Sequence, residues 1–161
     1  MRRAPVRFWA FGTAAATLAV CLLVQPLLLG RAPAVLIPGL ADFAPAWNRG
    51  VSFSLFTQDS ETGRALLMVA LAALSIGVAV FAWRATARLN AAAFGLVLGG
   101  ALGNLVDRAR FEGAVFDFLF LHLGRLPLFV CNLPDIAISA GVVLLFADAA
   151  LEAKRPKADS V

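Results

Sequence analysis

The sequence predicts a mainly α-helical membrane protein built as a four-transmembrane-helix bundle, and three observations carry that prediction. The composition is 61% hydrophobic and only 15% charged, with a mean hydropathy of +0.85, a balance that fits a membrane protein better than a soluble globule of this size. Four apolar runs approach or reach the length of a bilayer span. The Lys and Arg residues gather in short flanks between those runs. The length of 161 residues suits one integral membrane domain over 1–161.

The first run, Phe8 to Gly30, has 23 residues without a charge. It follows the basic segment MRRAPVR, and RAPA ending at Ala34 resembles a cleavage site. The run is longer than the ~7–15 residues of a signal-peptide core, so an uncleaved helix is expected. Ala65 to Trp83 and Leu89 to Val106 have 19 and 18 residues, against the ~20 that a spanning helix needs. The fourth run, Ile136 to Ala147, spans only if its helix starts near Asp135 and runs toward Lys154. The spans therefore fall near 8–30, 65–83, 89–107 and 135–153, with loops over 31–64 and 108–134 and a polar tail over 154–161.

Arg2, Arg3, Arg7, Arg84, Arg88, Lys154, Arg155 and Lys157 crowd three short flanks on one side. Arg31, Arg49, Arg64, Arg108, Arg110 and Arg125 are spread over two longer loops on the other. The positive-inside rule then places both termini in the cytoplasm and both loops outside. In the first loop VSFSLF (51–56) alternates weakly and reads as a short strand. The second loop, AVFDFLFLHLGRLPLFVCNLPD (114–135), is apolar for a loop and is expected to bury itself against the bundle or dip into the interface.

The polar residues of interest lie at one depth. Arg88 to Asp107 and Asp135 to Lys154 are each 19 residues, or roughly 28 Å of helix, close to the ~30 Å hydrocarbon thickness. With Arg88 and Lys154 at the inner interface, Asp107 and Asp135 reach the outer edge, and Asp117 lies on the loop between them. Gly95, Gly99 and Gly103 recur every fourth residue of the third run, a spacing that lets helix backbones touch in lipid. Asn104, Asp107 and Arg108 then share one face. Asn132 suits a helix cap and Pro134 the first helical turn ahead of Asp135. Taken alone, Asp135 reads as a helix-start carboxylate and Arg108 as a side chain snorkelling to the interface. Asp117 sits among Val115, Phe116, Phe118, Leu119 and Phe120. A lone carboxylate there is costly unless paired or protonated. Two carboxylates converging at the outer edge suggest a dyad, one ionised to activate water and one protonated to polarise a carbonyl.

Other chemistries find little support. His122 is the only histidine; it lacks partners for a zinc site or a triad and reads as an interfacial residue. Cys21 and Cys131 form no CxxC, and no metal or other cofactor is expected. There is no G-x-S-x-G elbow, and GGALG lies inside a membrane helix rather than after a strand. The basic residues form no stripe that would bind nucleic acid; an anionic phospholipid surface suits them better.

GGALGNLVDR (99–108), GAVFDF (113–118) and NLPD (132–135), with WNRGVSFSLF (47–56) in the first loop, resemble in order the motifs of signal peptidase II, the prolipoprotein signal peptidase family of bacterial inner membranes. The resemblance implies an aspartic endopeptidase that cuts diacylglyceryl-modified prolipoproteins just before the lipidated cysteine. It implies Asp117 and Asp135 as the catalytic pair and Asn48, Asn104, Arg108 and Asn132 as residues of the substrate site. Asp107 would brace Arg108 or nearby backbone, and Gly103 would support the packing. It also implies four helices with a small extracytoplasmic β-cradle and a short amphipathic helix from the first loop, a monomer, and a site at the outer face. Val24 and Leu28 replace the family's Asp and Lys at the end of the first helix, where Gln25 is retained; Cys131 and Pro134 replace its Phe and Ala. Two rival readings are a lipoprotein-binding homologue that does not cut, and a transporter or proton relay using the same carboxylates. The second would call for polar residues at mid-membrane depth, and AALSIGVAV and FGLVLGG are almost bare of them.

Overall fold

The computed structural model describes residues 3–50 and 60–153. The chain runs α1 (Arg3–Val24), a 3-10 turn (Gln25–Leu27), β1 (Ala34–Ile37), β2 (Ala41–Asn48), α2 (Glu61–Arg84), α3 (Arg88–Arg110), β3 (Val115–Leu123), β4 (Leu126–Cys131) and α4 (Leu133–Ala153). Four of these helices are long and apolar enough to cross a membrane. The first expected span ran to Gly30, but the α-helix stops at Val24 because Pro26 cannot donate to the helical ladder and tightens the chain into the 3-10 turn. Ser60 caps α2 by accepting from the Gly63 N–H at 3.1 Å, which starts that helix four residues before the apolar run.

The bundle is organised around α3, the most buried of the four spans. Without a hydrophobic force between helices in lipid, close backbone contact has to hold them. A Cβ on Gly99 would fall 2.6 Å from the Ala14 carbonyl oxygen and from Thr17 Cβ, so this face of α3 lies directly on α1. A Cβ on Gly100 would fall 2.5 Å from the Pro134 carbonyl oxygen and 2.8 Å from Ile138 Cγ1, which puts α4 equally close on the neighbouring face. Gly103 sits where the three helices meet, facing both Pro134 and Cys21. The glycine pattern thus serves two neighbours of α3 rather than one.

The second loop is a β-hairpin. Its strands join β1 and β2 in one antiparallel sheet of order β1-β2-β3-β4. The ladder satisfies the backbone polar groups, which allows so apolar a segment to leave the bundle. Its first part, Val115 to Phe118, is buried, while Leu123, Leu126 and Leu128 are exposed. Phe116 and Phe118 pack on Phe43 of β2, with Leu28 and Leu133 against them. The expected VSFSLF strand lies outside the described residues, and among the described residues the first loop holds β1 and β2 and no amphipathic helix.

The end of α3 sets the path into the sheet. Gly113 N–H reaches back to the Arg108 carbonyl at 2.8 Å, and Glu112 takes a left-handed φ of 51°, so a Schellman motif closes the helix. The chain reverses within a few residues and β3 starts beside the helix it has just left.

If glycine contact holds the bundle, Gly100→Ala should lower the melting temperature in detergent, with a loss of ~1–3 kcal/mol for overpacking. Gly77→Ala, where nothing lies within 4 Å, should leave it unchanged or raise it slightly. Equal effects at both positions, measured by thermal unfolding, would contradict this packing.

Candidate active site

Asn132 is the residue between β4 and α4, and it is fully buried. Its Oδ1 accepts from the Asp135 N–H at 2.9 Å, and its own N–H donates to Asp135 Oδ2 at 3.3 Å. This is a reciprocal helix-start box, with Pro134 in the first turn. The cap expected at Asn132 is present, and it fixes where the Asp135 carboxylate points. The Asn132 side-chain amide has two hydrogens left to place. One goes to Asp117 Oδ1 at 2.8 Å and the other to Asn104 Oδ1 at 3.1 Å. Asn104, on α3, donates in turn to Asp135 Oδ1 at 2.8 Å.

Asp117 comes in from the sheet. Its partner across the β2–β3 ladder is Ala46, and Asn48 lies opposite Val115. Asn48 Nδ2 donates to Asp117 Oδ2 at 3.0 Å, while its Oδ1 accepts from the Gly50 N–H at 2.9 Å. Both oxygens of Asp117 therefore accept from asparagine amides on two separate elements. Asp117 is 3% exposed. Burial pushes its carboxyl up to about 6, and the neighbouring charge of Asp135 pushes the same way. The Asn48 and Asn132 hydrogen bonds and the Arg108 charge only partly oppose this.

Arg108 is buried at the end of α3 with no carboxylate in direct ion-pair contact among the described residues. Its head is held by backbone carbonyls instead, with Nη2 donating to Gly50 O at 2.6 Å and Nη1 to Asn104 O at 3.2 Å. Its Nε is buried without a hydrogen-bond partner among the described residues. Asn48, Asn104, Arg108, Asp117 and Asp135 all line one groove of about 340 Å³. That groove continues between α2, α3 and α4 past Ser75, Val97, Ile138 and Ser139. Its polar end is the cluster just described and its other end is apolar apart from Ser75 and Ser139, the pattern of a site that orients one part of an extended ligand and buries the rest.

The structure thus brings together the six residues expected in the site: Asn48, Asn104, Arg108, Asp117, Asn132 and Asp135. Gly103 stands one residue before Asn104, against Pro134. Asp107 points elsewhere. It accepts from the Gln25 side chain and from the Phe116 backbone N–H, so it braces neighbouring backbone rather than pairing with Arg108. His122 lies at the far end of β3, with Nε2 3.3 Å from Asp42 and Nδ1 2.9 Å from the Gly124 carbonyl. Burial pushes the Cys131 thiol up to about 11, helped by the charges of Asp135 and Asp117, so at neutral pH it packs as a thiol.

Sequence reasoning missed three contributors. The carbonyl of Gly50 that holds Arg108 carries no side-chain signal. Ser75 sits in a bare helix centre, where its hydroxyl bonds the Leu71 carbonyl at 2.8 Å. Gln25 stands out in the sequence only as a retained residue, and its place behind the site comes from the structure.

Comparison with known proteins identifies a family for the chain. The family model for signal peptidase (SPase) II matches residues 9–151. The lipoprotein signal peptidase of Methylorubrum extorquens (strain PA1) is 50% identical over 121 residues, covering 75% of this chain and 70% of that protein. The lipoprotein signal peptidase of Methylobacterium sp. (strain 4-46) is 45% identical over 146 residues, covering 84% and 85%. A bacterial membrane enzyme solved by the in meso method at 2.3 Å superposes with a TM-score of 0.75 over 93% of this chain and 94% of its own, at 19% identity, a likeness of fold. With a family model spanning nearly its whole length and relatives at this identity, the chain belongs to the signal peptidase II family.

Proposed function

We propose that the protein is an aspartic endopeptidase of the bacterial inner membrane that removes signal peptides from diacylglyceryl-modified prolipoproteins, cutting before the lipidated cysteine. The observation that carries this reading is the pair Asp117 and Asp135, delivered by different elements and bridged through Asn132 at the polar end of a groove between the helices. The proteins most like it are lipoprotein signal peptidases. A peptidase family leaves the transporter reading without support.

In the proposed reaction Asp117 holds the proton of the pair and Asp135 is ionised. Asp135 takes a proton from water as its oxygen adds to the scissile carbonyl carbon, and Asp117 gives its proton to the carbonyl oxygen. The gem-diol then collapses. The C–N bond breaks, the leaving amine takes the proton from Asp135, and a diol hydroxyl returns one to Asp117. Both carboxyls end as they began. Asn48, Asn104 and Asn132 keep the pair oriented. Arg108, fixed by Gly50 and Asn104, holds its guanidinium at the polar end of the groove to meet a substrate carbonyl, a role that suits the rigid guanidinium fork. The apolar end of the groove takes the apolar stretch of the signal peptide. The charge pattern puts both termini in the cytoplasm and the site at the outer face. Phospholipids surround the exposed apolar helix faces, and the enzyme acts as a monomer.

The test is direct. Purified protein incubated with a diacylglyceryl-modified prolipoprotein peptide should release the signal peptide, read by mass spectrometry. Asp117→Asn and Asp135→Asn should each abolish turnover while still inserting and folding. A wild-type protein that binds the peptide and leaves it intact would make it the non-cutting homologue, and near-normal turnover in either variant would remove that residue from the pair.

The pH dependence carries a sign. Asp117 titrates near 6; below that it holds its proton and the pair is competent, and above it both carboxyls are ionised. The profile of kcat/KM, which reports the free enzyme, should fall as pH rises through about 6. The profile of kcat should fall at higher pH, because bound substrate strips water from the carboxyl and raises it further. A kcat/KM that rises through pH 6 would make Asp117 the base and reverse the two roles.

A further inference from the structure

We infer that Gln25 is a positioning residue for this site, tying the backbone behind Asp117 to the backbone behind Arg108; the inference rests on the peptidase reading above. Gln25 opens the 3-10 turn after α1 and is 4% exposed. Its Nε2 donates to the Asp107 carboxylate and also lies 3.3 Å from the Phe116 carbonyl oxygen. Asp107 accepts in addition from the Phe116 N–H. The amide of Gln25, the carboxylate of Asp107 and the peptide group of Phe116 therefore close a small ring of hydrogen bonds. None of the three lines the groove that holds Asp117 and Arg108.

The chain order gives this ring its meaning. Asp107 is the residue before Arg108, and Phe116 is the residue before Asp117. The ring thus locks one residue behind each of two groups that have to meet the same substrate. Asp107 lies in the last turn of α3 and Phe116 is the second residue of β3, and the reversing turn between them has a left-handed residue at Glu112. Besides the turn, the helix end and the strand are joined here by the bond from the Phe116 N–H to the Asp107 carboxylate. Gln25 braces both partners of that bond from a third element.

The residue type fits the task. The amide offers two N–H groups at once, one for a carboxylate and one for a carbonyl. An ionised Glu offers none, and Asn is one methylene too short to span both. The attachment of α1 to the bundle does not depend on this ring, because Gly95 and Gly99 already press α1 onto α3 further down. Loss of the ring should therefore loosen the site before it loosens the fold.

The experiment measures kcat and KM on lipidated prolipoprotein peptide, per folded molecule, for wild type, Gln25→Leu, Gln25→Asn and the swap Gln25→Glu with Asp107→Asn. Gln25→Leu and Gln25→Asn should lower kcat by roughly 10-fold or more, since misplacement at a reacting centre can cost ~100-fold, with KM changed by less than about 3-fold. The midpoint of the kcat/KM profile near pH 6 should move in both, because Asp117 would sit differently against its donors. The swap restores an amide–carboxylate pair with the roles exchanged, and should recover part of kcat. Wild-type kcat in the folded Leu and Asn variants would overturn the inference. So would failure of both to fold, which would make the ring purely structural. Wild-type enzyme runs alongside: absence of cleavage by it would sink the peptidase reading, whereas cleavage by it with unaltered Gln25 variants would sink this inference alone.

Discussion

One buried asparagine side chain ties fold and site together. Asn132 has one acceptor and two donor hydrogens to satisfy away from water, and an unpaired amide there would be costly. The acceptor caps α4 through the Asp135 N–H, and the donors go to Asp117 and Asn104. Each bond reaches a different element, so the same side chain registers α4 against β3 and α3. A helix start, a strand and a helix end are held in one arrangement because any other leaves a buried polar group without a partner. Such a network specifies a structure only when it is fully satisfied, and Asn48 and Asn104 complete it from either side.

The helices make that network possible by coming close. In lipid there is little hydrophobic gain from burying one apolar helix on another, so approach depends on small residues. Gly99 and Gly100 let α1 and α4 lie against neighbouring faces of α3. Gly103 then admits Pro134, which brings the start of α4 beside Asn104. One turn further on, α3 ends in a Schellman turn that sends the chain straight back as β3. The polar cluster follows from glycine packing below it and a tight reversal above it.

Much of this could be read from the chain. The spans were legible because an uncharged run of some 20 residues has the length and polarity that a bilayer demands and a soluble fold rarely offers. Asp117 stood out because a carboxylate among phenylalanines is expensive. The shared depth of Asp107 and Asp135 followed from helical rise alone, although depth did not say that Asp107 would turn to Gln25 while Asp135 turned to the site. The sheet was the least legible part. β2 reads ADFAPAWN, with Pro45 inside a stretch where the register slips between Phe43 and Ala46, so alternation is broken and the strand signal fades. Its partner β3 lies beyond two whole helices, and no local pattern announces a pairing at that separation. The grip of Gly50 on Arg108 is made by a backbone carbonyl, which every residue possesses.

The central claim is that the asparagines hold the two carboxylates as one unit. A double-mutant cycle on kcat for Asn104→Ala and Asn132→Ala tests it most directly, because residues that act together lose function non-additively. Removing either amide should break the side-chain path that runs from Asp117 through Asn132 and Asn104 to the Asp135 carboxylate, so the double variant should be about as slow as the slower single variant. Losses that multiply in the double variant would mean that each asparagine acts on its own carboxylate, and would contradict the account.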